Sequence, residues 1–208
     1  MPFNIPSADE LAKDILILLA YLLIGAAIKY IDQAYDARKF STRNALILAF
    51  PTALLMGYLI ATDPYSTILF LAIILSSALA HKIDNEAFTL LATLAIISPL
   101  FFTTQIKIMW LPFTILFLAG LADEYGNQWS DDNLEPKNIK HKQQPTTKVA
   151  ITFFQYRATT KLTILGLTIA SITPITYLLA LLLFDTGYET INNISKTQKP
   201  RKNKIYLK

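Results

Sequence analysis

Two aspartates four residues apart, Asp32 and Asp36, close an apolar stretch of the chain. That spacing puts both carboxylates on one side of a helix, provided the helix continues past the stretch. Asp123 and Asn127 repeat the spacing after another apolar stretch, and Asp84 follows a third. Mg2+ prefers oxygen ligands, and in diphosphate chemistry it is held by a few carboxylates together with the substrate's own phosphate oxygens. Asp32, Asp36, Asp84 and Asp123 are therefore the candidate catalytic and metal-binding residues, with Asn127 as a further metal ligand. Arg38, Arg43, Lys82, Arg157 and Lys161 are the candidate phosphate-binding cations, arginine being favoured where contact is bidentate. His81, three residues before Asp84 as Lys29 is three before Asp32, is a further candidate, and the segments KYID and HKID hint at an internal repeat.

The elements that must position these groups follow from composition. Of 208 residues, 53% are hydrophobic and 16% charged, against about 25% charged in soluble domains. With no cysteine, a disulfide scaffold, a thiolate metal site and a cysteine nucleophile are excluded. A bilayer core about 30 Å thick needs roughly 20 apolar residues in a helix. Apolar runs at about 15–31, 45–61, 66–80, 87–103, 108–122 and 162–184 predict an all-α polytopic integral membrane protein, a bundle of about six transmembrane helices grouped as three helix pairs. Pro51, Pro99, Pro112 and Pro174 fall inside runs two, four, five and six, where neighbouring helices can satisfy freed carbonyls and kinks are expected. Asp63-Pro64 marks a tight turn, as do Gln105 and Lys107. Ser7, followed by Asp9 and Glu10, predicts the start of the first helix.

Between 123 and 160 the sequence predicts a polar loop, ending in an interfacial helix over 149–160 in which Phe153 and Phe154 meet the membrane. Residues 190–208 form a basic tail suited to anionic lipid. The cations concentrate after runs one, three and five, which makes those loops cytoplasmic by the positive-inside rule. Much Ile, Thr, Asn and Lys with no cysteine suits a microbial source, hence the cell membrane of a microbe. No nucleic-acid partner is expected.

The segment D-Q-A-Y-D, Asp32 to Asp36, is similar to half of an aspartate-rich motif of the UbiA-type prenyltransferases, which hold Mg2+-diphosphate at helix ends. The asparagine-aspartate opening and a second motif are absent, so the likeness is one of principle. Six runs in a chain of this length also resemble the CDP-alcohol phosphotransferases in size, but only YDARKF, around Asp36 to Arg38, looks like part of their signature. The expectation is an integral membrane enzyme acting on a phosphorylated lipid or isoprenoid through a Mg2+ site at helix ends, such as a lipid or prenyl transferase or a phosphatase. The alternatives are a small permease or ion-conducting protein, and a non-catalytic membrane assembly subunit. An ion route would normally place ionisable residues within the spans, and the six apolar runs contain almost none.

Overall fold

The structure, a computed structural model, describes residues 7–103, 105–134 and 145–199. Among these the chain is all-α, without a strand: α1 (Ala8–Tyr35), α2 (Thr42–Thr62), α3 (Pro64–Leu79), α4 (Glu86–Ile97), α5 (Pro99–Phe102), α6 (Trp110–Leu134), α7 (Pro145–Gln155), α8 (Ala158–Ile169) and α9 (Ile175–Thr197). The centre of the expected loop and the end of the basic tail lie outside the described residues.

Local chemistry sets most helix ends. Ser7 caps α1 as expected: its hydroxyl accepts from the Glu10 N–H while the Glu10 carboxylate accepts from the Ser7 N–H, a reciprocal capping box. Asp63 caps α3, with Pro64 at the first helical position. Its buried carboxylate accepts from the Ser66 N–H at 2.7 Å and the Tyr177 hydroxyl at 2.6 Å. α3 ends with the His81 N–H on Ala78 O and the Lys82 N–H on Ser77 O, a Schellman closure whose left-handed position normally takes glycine. His81 fills it here at φ 56°.

Only α1 and α2, among the described residues, are long and apolar enough throughout to cross a membrane. The other expected runs differ in form. Run four divides at Ser98 into α4 and the single turn α5, because Pro99 has no N–H to continue the ladder. Run six divides into α8 and α9: a second Schellman closure at Ser171 ends α8, and Pro174 keeps its predecessor out of the helical region. Run five does not stop at 122, since α6 continues through the acidic residues to Leu134. Pro51 lies within an uninterrupted α2. Pro112 sits in the first turn of α6, where its missing N–H has no helical partner to lose.

The helices group into two compact units. The first takes the described residues of Met1–Leu59, Asn85–Phe101 and Leu179–Lys208. Here α1 and α9 meet backbone to backbone. A Cβ on Gly25 would fall 2.0 Å from Phe184 O, and one on Gly187 would fall 2.1 Å from Leu22 O, so the crossing needs both glycines. Tyr21, Ile24, Ile31 and Met56 are buried in this unit. The second unit takes Ile60–Asp84 and the described residues of Phe102–Leu178. Its α3 and α6 pack closely through Ser76 and Gly120, and α7 and α8 fold back onto α6.

Candidate functional site

Within the first unit, α1 extends four residues beyond the expected end of run one and carries Lys29 and Asp32 on a continuous helix. Lys29 is 9% exposed. Its ammonium lies 2.5 Å from Asp32 Oδ2, donates to Tyr188 Oη at 3.2 Å, and sits 4.6 Å above the Tyr188 ring centre. A lysine this buried needs such partners, because an unpaired ammonium away from water is strongly disfavoured. The α1–α9 glycine crossing brings Tyr188 within reach. Asp36 follows as the C-terminal cap of α1, exposed, its N–H donating to Asp32 O at 2.9 Å. Arg38 and Arg43 are exposed as well, Arg38 in the left-handed region at φ 52°.

The second unit holds the remaining candidates. His81 and Asp84 are exposed in the connection after α3, and Lys82 is half-buried there. Asp123 is 1% exposed. Both its oxygens are engaged, accepting from the Thr159 N–H at 2.9 Å and the Thr160 N–H at 2.7 Å. The reason is local: α8 begins at Arg157 without a side-chain cap of its own, and a carboxylate from α6 supplies the acceptor and complements the helix dipole. Beside it, Glu124, 3% exposed, accepts from Arg157 Nη2 at 2.9 Å and Ser77 Oγ at 3.2 Å. Arg157 is left-handed at φ 48°. Lys161 donates to Tyr156 O, and Asn127 is half-buried one turn beyond Asp123.

The structure thus places Asp32 and Asp36 on the first unit, and Asp84 and Asp123 on the second. Among the described residues no three histidine or carboxylate side chains are grouped to hold a metal ion. Asp32 already meets an ammonium, and Asp123 already meets two amides. Asp32 lies within α1, and Asp123 and Glu124 within α6, because both helices run past the ends expected for runs one and five. Phe154 also departs from its expected lipid-facing position. Its ring covers Gly126, where a Cβ would fall 2.1 Å from it, and stands edge-on to Trp129.

Sequence reasoning missed Tyr188 and Ser77. One signal was there to be read: Asp185 and Glu189 repeat the four-residue acidic spacing directly after an apolar run, and they flank Tyr188. In comparisons with known proteins, the chain matches no family model, no curated protein and no solved structure.

Proposed function

We propose that the chain is a polytopic membrane protein of about six membrane-crossing segments, in the cell membrane of a microbe with the loops after the first, third and fifth runs cytoplasmic. In this reading it is an enzyme that acts on the headgroup of a phosphorylated lipid or isoprenoid. One observation carries the headgroup part. Among the described residues, three of the four non-glycine positions with positive φ are basic or histidine, Arg38, His81 and Arg157, each at the end of a helix. A left-handed backbone costs such a residue roughly 1–2 kcal/mol, and strain of this kind gathers where a binding site holds a group in place. Arg38, on the first unit, and His81, on the second, are both exposed. Mg2+ fits as an ion brought by the phosphates, since it is commonly held through one or two carboxylates plus substrate oxygens. The exposed acid for that role is Asp36 on the first unit and Asp84 on the second.

The test is an Arg38→Gly, His81→Gly variant purified in detergent beside the wild type, each melted with and without Mg2+ and a polyprenyl diphosphate. Relief of strain raises the basal melting temperature of the variant, while the stabilisation that a ligand gives by binding the folded state is lost. Equal ligand stabilisation of both proteins, or of neither, would sink the headgroup reading. A second reading, a small ion-conducting protein, draws on Lys29, since ionisable groups inside apolar helices mark ion routes. Cation flux into proteoliposomes that disappears in Lys29→Met would favour it.

A further inference from the structure

Asp123 and Glu124 interrupt the apolar run of α6 and lower its mean hydropathy, which argues against a membrane span. The direction in which those charges point argues the opposite. Both carboxylates turn inward, 1% and 3% exposed, onto α8 and Arg157. The outward stripe of the same helix runs Leu111, Ile115, Leu118, Ala122, Tyr125, Trp129, the three-and-four spacing of one helix face. No charged residue is exposed on α6 from Trp110 to Trp129. Trp110 and Trp129 are the only tryptophans of the chain, and they are 68% and 44% exposed. Nineteen residues of helix separate them by about 28 Å, close to the roughly 30 Å of a bilayer core, and tryptophan favours both membrane-water interfaces.

At the Trp129 end lies α7. One side is seated on α6 by Phe154 over Gly126, by buried Ile151, and by the edge-on contact of Phe154 with Trp129. Its other side leaves Val149, Phe153 and Tyr156 exposed. Eleven residues make a helix of about 16 Å, too short to cross. Arg157 and Lys161 follow at its C-terminal end, charges that complement lipid phosphate.

We infer that α6 is a full membrane-crossing helix whose two interface planes are set by Trp110 and Trp129, and that α7 lies along the second plane with Val149, Phe153 and Tyr156 in the bilayer. This rests on the membrane reading above and adds the surface that α7 occupies.

The test uses the full chain in vesicles of brominated phosphatidylcholines. Trp110→Phe and Trp129→Phe each leave one tryptophan. The absence of native cysteine lets Val149→Cys and Phe153→Cys carry an environment-sensitive fluorophore at exposed positions. The expected result is loss of emission from both tryptophans and from both labels, stronger with bromines near the headgroup than near the chain ends. Tryptophans quenched by lipid with labels quenched only by aqueous iodide would overturn the placement of α7 and leave the membrane reading standing. Failure of any lipid to quench either tryptophan would overturn both.

Discussion

The two buried charge clusters neutralise themselves in different ways. In the first unit a lysine finds a carboxylate three residues away on its own helix and a phenol on α9. In the second, Asp123 binds backbone amides, while Glu124 binds an arginine whose side chain stays 38% exposed. The first cluster has its charge balance between buried or half-buried side chains. The second uses fixed dipoles and a cation with access to water, so its parts should be more separable. Burial of a charge is tolerable by either route, but the penalty for removing one partner differs.

That difference can be broken first at Lys29. Lys29→Met leaves Asp32 and Tyr188 without their shared donor, and the expected loss is about 3 kcal/mol in folding free energy, as for other half-broken buried pairs. Adding Asp32→Asn should recover most of it. Unfolding titrations of the two variants in mixed micelles check this, and equal instability would mean that the ion pair is not what holds the region. Asp123→Ala is next, about 2 kcal/mol for the loss of a carboxylate cap on two amides. Hydrogen exchange should show faster amides at the start of α8 with α1 unchanged; uniform acceleration would show the two units to be one cooperative block. Glu124→Gln should cost only about 1 kcal/mol, because Arg157 can turn to water. Smallest, and opposite in sign, is Gly166→Ala: Gly166 is the one described glycine with open space at its Cβ position, so alanine should stabilise α8 by about 0.5 kcal/mol. A loss there would mean that something packs against this face.

Features encoded by neighbours in sequence were readable. The α1 start at Ser7 and the Asp63-Pro64 corner involve groups within a few residues, and both formed as expected. The limits of α6 and the role of Asp123 were not readable, since the amides that Asp123 serves lie 36 and 37 residues later. An acid after an apolar run looks the same whether it ends a helix or turns inward on it; only the partner helix decides. Proline was ambiguous for a related reason. Pro112 in a first turn is harmless, whereas Pro99 and Pro174 interrupt helices, and sequence position alone did not separate them. The left-handed backbones of Arg38 and Arg157 arise from how the preceding helix closes, which no single residue type announces.

The hydroxyl of Tyr177 reaches Asp63 across 114 residues, and that of Tyr188 reaches Lys29 across 159. Chains are made from the N-terminus and tend to fold in that order. Lys29 and Asp63 therefore hold their near neighbours, Asp32 and the Ser66 N–H, but neither hydroxyl until α9 is made. A chain stopped before α9 carries an acid and an amine whose final hydrogen bonds cannot form, however well its first helices are inserted. The polar interior of each unit is thereby complete only once α9 has been made.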